Sequence, residues 1–206
     1  MIIYNLADII RFKLQYGLSF DGSLAKKYLE NCPHDVSIDF DLLRKIVCEY
    51  NIEPEKDAMC VHVRLGDILG FDQYKNNMPD IYSIIKHHEL HKKYHKCKLF
   101  YGNHNNKFVK ESQEILENLC EKLEEIGLNV AIESNEVDED FIKLSTAQCY
   151  VAGQRGFGWL AASINPNQVY WDMQNPPYFD WLLNRKFLGS MISGYEYHRK
   201  IKKYGL

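Results

Sequence analysis

Between residues 57 and 171 the chain alternates short apolar runs with amphipathic segments, and that alternation limits the folds open to it. "AMCVHV" reads as a strand, "PDIYSIIKHHELHKKYH" as a helix with Asp80 near its start, and "CKLFYGN" as a strand. "NKFVKESQEILENLCEKLEEIG" reads as a long helix closed by Gly127. "NVAIES", "CYVAG" and "QVYWD" follow as strands, separated by the helical stretches "DEDFIKLSTA" and "GFGWLAASIN". Strands of four to eight residues separated by helix-length segments build βαβ units, which bury a mostly parallel sheet between helices on both faces. The expected fold class is therefore α/β, a Rossmann-like, mostly parallel sheet. Residues 1–56 form a separate N-terminal helical segment in this reading, "DLLRKIVCEYNI" being its clearest helix and Pro54 its end. Residues 57–206 form the sheet domain with a C-terminal helical tail.

In an open sheet of this kind, ligands bind beyond the carboxyl ends of the strands. The segments expected at that edge are "HVRLGD", "YGNHNN", "ESNEVDED" and "AGQRGFG". In "CVHVRLGDILG", a strand that only filled a core would have no use for His62, Arg64 and Asp67 within six residues. An arginine at a strand end pairs with a phosphate through two parallel hydrogen bonds. Ion pairing with Asp67 or Asp140 is the structural alternative. In "VAGQRGFGW", Gly153, Gly156 and Gly158 lie between an apolar strand and an apolar helix, where bare backbone admits an anion to the helix N-terminus. The same spacing suits a tight turn with close helix packing. It is neither GxGxxG nor a Walker loop.

Composition narrows the partners. With 206 residues, 46% of them hydrophobic, the chain can bury one sizeable core, and a net charge of −3 provides no general basic field for nucleic acid. Cys32, Cys48, Cys60, Cys97, Cys120 and Cys149 form no CxxC pair, which suits reduced thiols and a cytoplasmic setting. No apolar run reaches the length of about 18 residues that a membrane span needs, and Asp8 and Arg11 interrupt the N-terminal "MIIYNLADIIRFKLQYG", which resembles an amphipathic helix more than a signal peptide.

"VHVRLGD", followed much later by "DEDFIKLSTAQCYVAGQRGFGWLAASI", resembles the donor-binding half of the fucosyltransferase-like glycosyltransferases, a GT-B superfamily that includes α1,2-, α1,6- and protein O-fucosyltransferases. The resemblance covers roughly residues 57 to 172. It implies a metal-independent transferase, without cofactor, that moves a fucose-like deoxyhexose from a nucleoside-diphosphate donor, GDP-fucose favoured, to a glycan or other hydroxyl acceptor. Arg64 would stabilise the leaving diphosphate and His62 would help to seat the nucleotide. Asp140 would accept hydrogen bonds from guanine, and Gly153, Gln154, Arg155, Gly156, Phe157 and Gly158 would form the phosphate loop. Asp67 is the first choice as catalytic base, ahead of Asp72, His104 and Glu133. The chain departs from the relatives in lacking loop serines and in carrying Leu65 where many have a second arginine. Only about 56 residues precede the first strand, whereas a full additional α/β domain needs about 100. Further domains of a larger transferase, or a nucleotide-sugar-binding module without catalysis, are therefore alternatives.

Three other signals carry less. His87, His91 and His95 fall at i, i+4 and i+8 of the expected helix, but HExxH is absent and a solvated face explains them. "DED" at 138–140 resembles the DxD of a metal-dependent GT-A transferase, yet it starts a late helix, where acidic residues suit the dipole. A methyltransferase would need its glycine-rich loop where "RLGDILG" stands. Tyr170, Trp171, Tyr178, Phe179 and Trp181 around Pro176 and Pro177 suit core or lid as well as sugar stacking, and "YEYHRKIKKYGL" reads as a solvated basic helix.

Overall fold

The computed structural model describes residues 40–70, 78, 80–102, 108–153 and 155–171. Five strands, β1 (Ala58–Arg64), β2 (Lys96–Gly102), β3 (Asn129–Glu133), β4 (Cys149–Ala152) and β5 (Gln168–Trp171), form one sheet in the order β3-β2-β1-β4-β5. Every pairing is parallel: Cys60 lies opposite Lys98 on one side and Tyr150 on the other, and Val61 opposite Leu99 and Val151. The helices are α1 (Phe40–Cys48), α2 (Ile81–His87), α3 (Leu90–Lys93), α4 (Val109–Glu125), α5 (Val137–Thr146) and α6 (Arg155–Ile164), with a 3-10 turn at Gly66–Gly70.

The two-residue period of the strands sorts their side chains between two cores. Met59, Val61 and Val63 of β1 join Leu99 and Val151 under α2, α3 and α4. Cys60, Phe100, Tyr150 and Val169 face α1, α5 and α6 on the other side. Helices therefore cover both faces, as the alternation predicts. The cores also hold Cys60, Cys97 and Cys149, whose thiols burial pushes up, Cys60 and Cys149 to about 12, so they behave as small apolar groups. All five described cysteines are free thiols.

Local chemistry sets the element ends. Asp80 caps α2 by accepting from the Ser83 N–H at 3.0 Å. Fully buried Asn165 closes the other end of the molecule: its amide donates to the Leu144 and Ala147 carbonyls at 2.9 and 3.0 Å, and its oxygen accepts from the Asn167 N–H at 2.7 Å. That bracket satisfies the last carbonyls of α5. Helix α1 carries Leu43, Ile46 and Val47 into the core shared with α5 and α6, and the Arg44 Nε donates to the Ile164 carbonyl at 2.9 Å.

One expected helix is two. The segment 79–95 breaks after His87, with Glu89 in the left-handed region at φ 53°, and resumes at Leu90. Ile81, Ile84 and Ile85 define the buried stripe of α2. A continuous helix would put Leu90 nearly opposite that stripe, whereas the break buries it completely. His87, His91 and His95 consequently do not share one helical face, and no group of three or more metal-ligating side chains occurs among the described residues. No described helix is long and apolar enough to cross a membrane. The aromatic tail beyond Trp171, the basic C-terminal segment, Asp8, Arg11, Cys32, Asp72 and His104 lie outside the described residues.

Candidate functional site

The chain winds from β1 outward to β2 and β3, then crosses back to β4 and β5. Strands β1 and β4 are thus neighbours whose connections leave in opposite directions, and the crevice beyond their carboxyl ends is the position where open parallel sheets hold ligands. β1 delivers His62 and Arg64 there. Both lie on the side of α5 and α6, because they continue the alternation begun by Cys60.

His62 is 7% exposed and is enclosed by the glycine-rich turn. An ideal Cβ on Gly153 would lie 2.2 Å from the His62 carbonyl oxygen and 2.8 Å from the ring Nδ1. A Cβ on Gly158 would lie 2.7 Å from Nδ1 and 3.1 Å from the Gly153 carbonyl oxygen. The turn therefore touches the end of β1 directly, and its glycines make room for an imidazole. Close packing, the alternative that the spacing left open, accounts for Gly153 and Gly158 on geometry alone.

Aromatic contacts extend this cluster. The Phe157 ring lies 5.4 Å from the His62 ring and 5.6 Å from Phe141, linking the first turns of α6 and α5 to the strand tip. Behind them the fully buried Tyr150 hydroxyl donates to the Gly158 carbonyl at 3.2 Å, and burial holds its phenol well above the ordinary range, so it remains a donor. The opposite side of the tip is equally fixed. Gly66, at φ 73° in the region that favours glycine, donates its N–H to the buried Ser112 hydroxyl of α4 at 3.2 Å. Leu65 is fully buried in the core under α2 to α4, so this position has no room for an arginine.

Asp140 lies in the first turn of α5, four residues past the cap position at Glu136, rather than opening the helix. It is half-buried. Its carboxylate accepts from the Asn135 side-chain amide at 2.8 Å and, more weakly, from the Asn135 backbone N–H at 3.5 Å. Burial raises its pKa, and the Asn135 hydrogen bonds oppose that rise. Its neighbour Phe141 connects this turn to Phe157 and His62. Glu133 is spoken for: it meets Lys98 at 3.7 Å, Lys143 at 3.5 Å and the Asn135 amide at 3.2 Å. Burial pushes its carboxyl up, but Asn135 and the two lysines outweigh that and leave it below the usual range, which makes it a weak base. Gln154 and the side chains of Asp67 and Arg155 lie outside the described residues, and Gly156 is described only as part of α6.

The structure thus brings His62, Gly153, Phe157 and Gly158 together, with Arg64 next along the strand from His62 on the same side. Sequence reasoning did not find Tyr150 or Ser112, whose apolar or helical surroundings mask them; for Tyr150 a lone hydroxyl within an otherwise buried run was the available signal. No family model matches the chain, nor does any curated protein or solved structure.

Proposed function

We propose that this chain is a Rossmann-like donor-binding domain of a metal-independent glycosyltransferase, which takes a nucleoside-diphosphate sugar, GDP-fucose favoured, and passes the deoxyhexose to a hydroxyl on a glycan. The observation that carries the reading is the direct apposition of the β1 tip, bearing Arg64, to the glycine-rich start of α6 at the point where the strand order reverses. A guanidinium and the N-terminal amides of a helix together suit a diphosphate. In this reading Arg64 stabilises charge on the departing nucleoside diphosphate, Asp140 receives the guanine N–H groups, and Asp67 removes the acceptor proton. The domain works in the cytoplasm on a glycan or glycoconjugate, alone or as one part of a larger transferase.

A second reading, a nucleotide-sugar-binding module without catalysis, draws support from Glu133, a candidate base occupied by Lys98, Lys143 and Asn135. Thermal shift against GDP, UDP, ADP and S-adenosylhomocysteine, with and without chelator, tests the site. GDP at a hundred times its Kd should stabilise the protein by about 2.7 kcal/mol, with no loss in chelator and with the shift abolished in Arg64→Ala. Stabilisation by UDP alone would discard the role given to Asp140. Indifference to all four compounds would overturn the proposal, and incubation of GDP-fucose with a glycan acceptor separates transferase from module.

A further inference from the structure

Gly153 and Gly158 restrict one side chain, and the restriction runs both ways. Any Cβ at either position meets His62, while His62 is 7% exposed and has Phe157 against its ring. The imidazole therefore fills the space between the end of β1 and the first turns of α6. We infer that His62 is a positioning residue: its ring sets the distance between the α6 N-terminus and the β1 tip that carries Arg64, and so determines whether both reach one diphosphate. This rests on the nucleotide-binding reading, but gives His62 an indirect task in place of contact with the nucleotide.

The geometry supplies its own control. At Gly158 the nearest obstacle is the imidazole Nδ1, 2.7 Å from the ideal Cβ, and truncating His62 removes it. At Gly153 the nearest obstacle is the His62 carbonyl oxygen, at 2.2 Å, which no side-chain change removes. The two glycines consequently differ in whether a change at His62 relieves their substitution.

The test is a double-mutant cycle on the full chain with His62→Ala and Gly158→Ala, read by melting temperature and by the Kd for GDP measured well below melting. Gly158→Ala alone should lower the melting temperature by about 5 °C, as overpacking does. The double variant should melt above the sum of the two single effects, because the methyl group occupies space left by the ring. His62→Ala, the milder variant, should weaken GDP binding about tenfold by displacing the turn. Additive melting effects, or unchanged GDP affinity in folded His62→Ala, would overturn the inference while wild-type binding of GDP still upheld the nucleotide site. A wild-type chain that binds none of GDP, UDP and ADP would instead overturn the nucleotide reading, and the positioning role with it.

Discussion

Strands β1 and β3 look alike in sequence, "AMCVHVR" beside "NVAIE", and behave in opposite ways. Every residue of β1 up to Val63 is buried, and His62 near its tip lies against the glycine-rich turn. β3 is an edge strand with Ile132 52% exposed, and its charged end belongs to a ribbon of ion pairs on the surface. In that ribbon Glu55 meets Lys96 at 2.5 Å and Lys98 at 2.6 Å, Lys98 meets Glu133 at 3.7 Å, and Lys143 bridges Glu133 at 3.5 Å and Glu139 at 2.7 Å. Charges on the edge keep water and partners of opposite sign, and also discourage strand addition. A histidine in a fully covered central strand must be accommodated by the residues around it, so the sequence pays attention to it elsewhere, at Gly153 and Gly158.

The comparison breaks most easily at the centre. Gly153→Ala should cost about 3 kcal/mol, lowering the melting temperature by roughly 6–12 °C, and His62→Ala should not restore it. Recovery in that double variant would mean that side-chain packing, rather than backbone proximity, dictates the turn. Removing the hydroxyl in Tyr150→Phe should cost about 1 kcal/mol in a urea titration, since it deletes one buried hydrogen bond. A neutral outcome there would show that the Gly158 carbonyl does not depend on it.

The surface ribbon of ion pairs should respond least. Lys96 and then Lys98 hold the Glu55 carboxyl down at about 2, against 4.5 for the free group. A carboxyl lowered in the folded state adds stability that is present above pH 4.5 and disappears as the pH falls from there toward 2. Because Glu55 is 35% exposed, solvent screens most of that effect. Glu55→Gln should therefore melt only about 1–2 °C below wild type at pH 7, and the difference should vanish near pH 2. A persistent difference at acid pH would assign Glu55 a packing role.

Much of this architecture was legible in the chain because periodicity reports which side of an element is covered. The five strand runs, the 17-residue α4 and the stop at Gly127 follow from it. The break at Glu89 escaped, since every residue from Pro79 to His95 tolerates a helix and only the burial of Leu90, a tertiary demand, forces the interruption. At the candidate site, His62 and the glycines were legible as unusual residues, but not as partners of each other. Periodicity identifies a face and is silent about which distant loop will be laid against it. Asp140 likewise stood out as acidic, while its hydrogen bonds to Asn135 depend on how the β3–α5 loop turns.

The buried hydrogen bond from Gly66 to Ser112 couples two parts that the chain order keeps far apart. Helix α4 is the longest in the described structure, with much of its outer surface in water, and its Ser112 end grips the chain just past Arg64. Any sliding of that helix along its axis drags the arginine with it or leaves a donor and an acceptor stranded in the interior. Rigidity at the strand tip is thus partly on loan from a helix on the far face of the sheet.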